Sequence, residues 1–193
     1  MDALIKLSIL VPLSYCAGSI NFSIILFKFL GRNDPRSGFS GNAGTSNVYR
    51  QAGIFWAAVV LLLDVGRAVA IALLSTYILP GDLAPWPGLA LIAGNRYPCF
   101  HGFRGGKGVA NFLGFSAVIT PLAAAISAAA WVLVYGITRI TFIASFAMIL
   151  ILGAGTVIAC DYKPAAITGT LLTVIFIMYN HKKNIVALRE KKK

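Results

Sequence analysis

The stretch from Ile54 to Leu79, IFWAAVVLLLDVGRAVAIALLSTYIL, decides the fold class. Only Asp64 and Arg67 interrupt it, and about 20 helical residues suffice to cross about 30 Å of hydrocarbon. It reads as a membrane span. Outward from it, Leu4 to Leu30 is a second run of that length, and Trp86 to Tyr97 is a short one that opens among Pro85 and Pro87. From Val109 to Ile137 the chain stays apolar but carries Pro121 after Thr120. A proline disfavours helix in the residue before it, so two elements are expected, Val109 to Thr120 and Pro121 to Gly136. Phe142 to Ile158 and Pro164 to Tyr179 complete the set. The expectation is an all-α, polytopic membrane protein with seven transmembrane helices, some short or broken.

Composition agrees. Of 193 residues, 58% are hydrophobic and 12% charged, and the mean hydropathy is +0.80; ordinary soluble domains carry about 25% charged residues. The 17 Lys and Arg against 6 Asp and Glu give a net charge of +11, but the excess lies between apolar runs, which reads as membrane-loop charge and excludes a nucleic-acid face. Arg32, Arg36, Arg50, Arg96, Arg104, Lys107, Arg139 and the tail from Lys182 to Lys193 share one side of a seven-span arrangement, and the other holds little beyond Lys6, Asp82, Asp161 and Lys163. The positive-inside rule then puts the N-terminus outside and the C-terminus in the cytoplasm. The closing Lys191-Lys192-Lys193 reads as an end drawn to anionic lipid. Cys16, Cys99 and Cys160 are too few and scattered for a disulfide framework or metal site. The start lacks the basic residues and cleavage site of a secretory signal, so its apolar run is expected to be retained.

Chemistry collects in the loops on the basic side. Asp34 to Arg50 includes Arg36, Ser40, Gly41, Asn42, Ser46, Asn47 and Arg50, and small residues with hydroxyls, amides and arginines beside them suit an anion such as phosphate. Gly94 to Val109 ends in Gly105-Gly106-Lys107-Gly108 immediately before an apolar helix. That places N–H donors, a helix N-terminus and an ammonium around one point. It is not an ATP-binding Walker loop, because His101 stands where the first glycine belongs and Gly108 where a magnesium-binding hydroxyl should be. At the end of the last span, His181 and Asn184 share a helix face. Asp64 and Arg67, one turn apart inside a span, read equally as an inward ion pair and as braces or lining of a polar site. Ser14, Ser19, Asn21, Thr141 and Ser145 are ordinarily helix-packing groups.

Taken in order, Gly18-Ser19-Ile20, Ser40-Gly41-Asn42, Asn47 to Arg50, Asp64, Gly94, Pro98, Phe103, Gly105 to Ala110, Ser145, His181 and Asn184-Ile185 resemble the bacterial integral-membrane family that transfers an acyl group from acyl phosphate to glycerol 3-phosphate. The resemblance spans nearly the whole chain and implies one membrane-embedded acyltransferase domain over residues 1–193 in the cytoplasmic membrane. It also implies lysophosphatidic acid and phosphate as products, with no metal and no cofactor. The chain departs from the family's usual residues at Phe39 (Gly), Asn95 (His), Asn111 (Thr), Phe142 (Ser), Ser46 (Thr), Arg67 (Lys) and Ala187 (Arg). On this reading Lys107, His181 and Asn184 are the catalytic candidates. Arg36, Ser40, Gly41, Asn42, Ser46, Asn47, Arg50, Gly105, Gly106, Gly108 and Ser145 are the substrate-binding ones. The soluble-type acyltransferase signature, Asp five residues after His, is absent at both histidines, where Gly106 and Val186 stand. Two other readings remain: a membrane transporter of a phosphorylated small molecule or anion, and a non-catalytic lipid-binding relative.

Overall fold

The computed structural model describes residues 2–190; Met1 and the closing Lys191-Lys192-Lys193 lie outside them. Nine α-helices make up most of the described chain: α1 (Ala3–Ser19), α2 (Phe22–Phe29), α3 (Thr45–Ile78), α4 (Pro85–Arg96), α5 (Val109–Ile119), α6 (Pro121–Thr138), α7 (Thr141–Ala159), α8 (Pro164–Asn180) and α9 (Lys182–Glu190). Proline is the first residue of α4, α6 and α8, where its missing N–H has no intrahelical role and its fixed φ suits the first turn. The break expected at Pro121 is there, with Thr120 in a non-helical conformation between α5 and α6.

The expected run Leu4 to Leu30 differs in one respect: it is two helices, because Ile20 and Asn21 turn extended and the Asn21 side chain caps α2 by accepting from Ile24 N at 3.2 Å. The Ile54 to Leu79 run starts earlier than hydropathy indicates. Helix α3 reaches back to Thr45 across a kink at Gly53, whose φ of 85° is open to glycine and strained for other residues.

Among the described residues, four helical stretches are long and apolar enough to cross a membrane, Ala3–Phe29, Thr45–Ile78, Pro121–Thr138 and Thr141–Ala159; α5 and α8 are shorter apolar helices. The 12-residue α4 is packed inside the bundle, with Leu91 and Ile92 fully buried. Large apolar side chains such as Leu62, Leu122, Ile137 and Ile158 are exposed around the outside, a pattern unstable in water and natural against lipid.

Without a hydrophobic drive between helices in lipid, close packing needs small residues. A Cβ on Gly18 of α1 would fall on the carbonyl oxygen of Leu91 of α4, and one on Gly94 would fall on that of Tyr15. Tyr15 Oη adds a hydrogen bond to Tyr97 O at 2.6 Å. Helix α5 is drawn against α3 in the same way at Gly114, where a Cβ would stand 2.5 Å from Val65 O. These contacts fix the short α4 and α5 inside the bundle, and therefore the loop between them.

Candidate active site

The basic loops converge on one end of the bundle. Arg36 joins them: it pairs with Asp34 at 2.6 Å and donates to His101 O at 2.6 Å and Arg104 O at 2.7 Å, bridging the α2–α3 and α4–α5 loops. The amide of Asn47, buried in the first turn of α3, donates to Pro35 O at 2.7 Å and Asn42 O at 2.9 Å, while its Oδ1 accepts from Ser40 N at 3.3 Å. Gly105 and Gly106 bond through their N–H groups to Arg96 O and Asn95 O. A Cβ on Gly106 would stand 2.8 Å from Asn95 Nδ2 and 2.9 Å from Ala43 O.

Between these loops and α3, α5, α6 and α7 lies a cavity of about 440 Å³. Its polar end is made by Ser40, Asn42, Ser46, Arg50, Lys107, His181 and Asn184, and its apolar wall by Leu61, Leu113, Trp131, Val132, Phe142 and Met148. Leu61 and Val132 are themselves exposed on the outer face of the bundle, so the apolar part opens sideways towards lipid. Two helix N-termini face the polar end, Gly44–Ser46 of α3 and Gly108–Ala110 of α5. Their unpaired N–H groups and positive dipole ends attract an anion.

Lys107 Nζ donates to Asn184 Oδ1 at 2.6 Å. Burial lowers its ammonium from the ordinary 10.5 to about 8, and the charges of Arg50 and Arg96 push the same way. His181 is 2% exposed, with its ring edge-on to Phe146 and its Nδ1 at 2.9 Å from Ile177 O. Burial first, then Lys107, lowers the imidazole to about 4, against the opposing effect of the Ile177 carbonyl. It is neutral at pH 7, and with Nδ1–H on Ile177 O its Nε2 is left as an acceptor.

Most residues singled out in the sequence come together here: Ser40, Asn42, Ser46, Asn47, Arg50, Gly106, Lys107, Gly108, Ser145, His181 and Asn184 all line the cavity. Arg36, Gly41 and Gly105 stand outside its wall. Arg36 is spent on the loop bridge, Gly41 takes a left-handed turn at φ 64° that closes on Gly38 O, and Gly105 is packed against the Asn95 carbonyl. The expected cluster of glycine N–H donors is also corrected, since the donors of Gly105 and Gly106 are consumed within the loop and the open ones belong to α3 and α5. Ser145 presents a hydroxyl already bonded to Thr141 O at 2.9 Å.

The Asp64–Arg67 pair takes both of its expected parts. Arg67 Nη2 meets Asp64 Oδ1 at 2.9 Å, its Nη1 donates to the carbonyls of Ala17, Gly18 and Ile20 at the broken end of α1, and Asp64 reaches the cavity wall. Sequence reasoning did not place Trp131, Thr141, Asn95, Asn111 or Phe142 on that wall. Their runs are apolar around most of the helix, so periodicity gives no inward face.

Comparison with known proteins follows the same lines. The family model for glycerol-3-phosphate acyltransferase matches residues 8–191. A glycerol-3-phosphate acyltransferase of Pseudomonas paraeruginosa is 35% identical over 179 residues, 92% of this chain and 93% of that protein; one of Azotobacter vinelandii is 36% identical over 181 residues, 93% and 94%. The crystal structure of PlsY (YgiH), an integral membrane glycerol 3-phosphate acyltransferase, in its glycerol 3-phosphate form is 30% identical, with a TM-score of 0.89 over 97% of this chain and 94% of that one. Its lysophosphatidic acid form gives 29% and 0.86 over 97% and 93%.

Proposed function

The chain belongs to the glycerol-3-phosphate acyltransferase family, and we propose that its cavity moves a fatty acyl group from acyl phosphate to the primary hydroxyl of glycerol 3-phosphate. The products are lysophosphatidic acid and inorganic phosphate, the first step of phospholipid synthesis. One observation carries the reading: a single cavity joins an anion-attracting end, built from Lys107, Arg50 and two helix N-termini, to an apolar groove open towards lipid. A fatty acyl phosphate has that polarity, and its tail reaches the groove from the bilayer. The whole of residues 1–193 serves as one membrane-embedded domain for this purpose.

An acyl phosphate is an activated mixed anhydride, so positioning and charge stabilisation suffice without a protein nucleophile. Lys107, Arg50 and Asn184 hold the phosphate of glycerol 3-phosphate. Ser40, Asn42 and Ser46, with the N-terminus of α3, hold the phosphate of the donor. The hydroxyl oxygen adds to the acyl carbon, the bond from that carbon to the phosphate oxygen breaks, and the hydroxyl proton leaves on the departing phosphate. His181, neutral and held through Nδ1, accepts from the hydroxyl at Nε2 and aims it. An imidazole lowered to about 4 is a weak base, which favours the phosphate as proton acceptor.

The test is purified protein with palmitoyl phosphate and glycerol 3-phosphate, followed for phosphate release and lysophosphatidic acid, with acyl-CoA as parallel donor. Lipid formed from acyl phosphate alone is the expected result. Phosphate release without lipid makes the protein a hydrolase, and accumulation of unmodified glycerol 3-phosphate in proteoliposomes makes it a transporter.

The cavity end also carries the basic loops, and the positive-inside rule then sets it in the cytoplasm of the bacterial inner membrane, with the N-terminus outside. In a cysteine-free background, Lys183→Cys is expected to resist a membrane-impermeant maleimide in intact spheroplasts and to react in inverted vesicles. The reverse pattern overturns the orientation.

A further inference from the structure

We propose that Asn111 is a catalytic hydrogen-bond donor, its Nδ2 turned into the cavity to stabilise the oxyanion that forms at the acyl carbonyl, and that Arg67 is the positioning residue that turns it. The inference rests on the acyl-transfer reading above. Asn111 sits in the first turn of α5, is 1% exposed and lines the cavity. Its Oδ1 accepts from Arg67 Nη2 at 2.6 Å. A guanidinium has donors and no acceptor, so this contact fixes which end of the amide faces α3. The oxygen is taken; the NH2 group is the end left for the cavity, and among the described residues it donates to no protein acceptor. The amide nitrogen is not among the sealed, unpartnered atoms of the interior; a donor left open on the wall of a cavity by an otherwise buried residue is placed to meet a ligand oxygen.

The position along the cavity identifies that oxygen. Asn111 lies at the boundary between the polar end at Lys107 and Gly108 and the apolar wall that continues with Leu113. In an acyl phosphate the carbonyl is the one group between phosphate and tail. With the phosphate at the polar end and the tail in the groove, the carbonyl oxygen falls at this boundary, beside the first turn of α5. As the hydroxyl oxygen adds, the carbonyl electron pair moves onto that oxygen. An NH2 group already aimed there, with the positive end of α5 behind it, stabilises the developing charge without reorganising. Collapse restores the carbonyl and expels the phosphate with the hydroxyl proton.

Arg67 is well anchored for this task. It is held by Asp64, by the carbonyls at the end of α1 and over the ring of Phe22 at 5.0 Å. A guanidinium fixed on three elements leaves Asn111 one orientation.

Kinetics of Asn111→Ala, Asn111→Asp and Asn111→Thr in purified protein test this. Asp keeps the shape and an oxygen for Arg67 but has no donor; Thr restores a short donor. Ala and Asp are expected to lower kcat roughly a hundredfold, the usual scale for one oxyanion donor, with KM for glycerol 3-phosphate within about threefold. Thr is expected to regain most of the loss. A merely structural role leaves Thr as impaired as Ala, and that result overturns the proposal. So does an Asp variant whose kcat stays within about threefold of the unaltered chain, far short of a lost oxyanion donor. If Ala does not fold, Asp and Thr decide. An unaltered chain that is inactive with palmitoyl phosphate sinks the acyl-transfer reading itself, whereas an active chain with indifferent variants sinks only the donor.

Discussion

Lys107→Ala is expected to lower kcat/KM for glycerol 3-phosphate by roughly a thousandfold, with the protein still folded in the membrane. The side chain enters the cavity from a loop, and among the described residues its one hydrogen bond goes to Asn184 Oδ1, so truncation leaves the helix packing untouched. A charge-assisted hydrogen bond is worth about 1.5–3 kcal/mol. The loss of a half-buried positive charge beside a phosphate brings the sum to about 4 kcal/mol, which is about three orders of magnitude in rate. The same group sets a pH limit. Its folded value near 8 lies below the ordinary 10.5 because the charged form is desolvated and repelled by Arg50 and Arg96. Only the ammonium binds phosphate, so kcat/KM should fall as pH rises through about 8. Bound phosphate raises the value again, so the corresponding limb in kcat lies at higher pH. Full activity of Lys107→Ala in membranes at normal protein level removes Lys107 from the site, and a kcat/KM profile flat up to about pH 10 overturns the lowered titration of its ammonium.

What was legible in the sequence follows from what the bilayer demands. Each apolar run became helix because backbone groups in hydrocarbon have no other partner, and the helix ends at Pro121 and Pro164 followed from proline's fixed φ. The polar residues between spans were also legible as a group, since charge and amides survive beside lipid only where protein or a ligand answers them. Which of them face the ligand was not. Arg36 and Arg50 look alike in sequence, yet the Asp34 carboxylate and two loop carbonyls claim the first while the second lines the cavity. The glycines of Gly105-Gly106 read as open donors, but their N–H groups meet the carbonyls that end α4. Asn111 was hidden for a different reason. Its neighbours are apolar, and only the reach of Arg67 from another helix reveals which end of its amide is free.

Arg67→Leu is expected to destabilise the protein by about 3–5 kcal/mol, the usual cost of stripping one partner from a buried ion pair. Asp64 and Arg67 expose only 8% and 7% of their side chains, so the abandoned carboxylate meets water at the cavity wall alone and, among the described residues, has no second cation at contact distance. The same substitution takes the guanidinium from the carbonyls of Ala17, Gly18 and Ile20; Ala17 O keeps the Ile20 N–H at 3.2 Å, but those of Gly18 and Ile20 lose their donor, and in hydrocarbon an unsatisfied carbonyl is itself costly. The two contributions separate in the double variant Asp64→Asn with Arg67→Leu. Removing the charge relieves the first cost and leaves the second, so about half of the lost stability should return. Unfolding midpoints of the single and double variants in the same detergent measure the difference. If the double variant is no more stable than Arg67→Leu alone, the stranded carboxylate is not the cause, and the break between α1 and α2 is the element that the guanidinium holds. Activity then adds a further constraint: the double variant, though partly restabilised, should remain as slow as Asn111→Ala, because neither change restores the donor that orients Asn111.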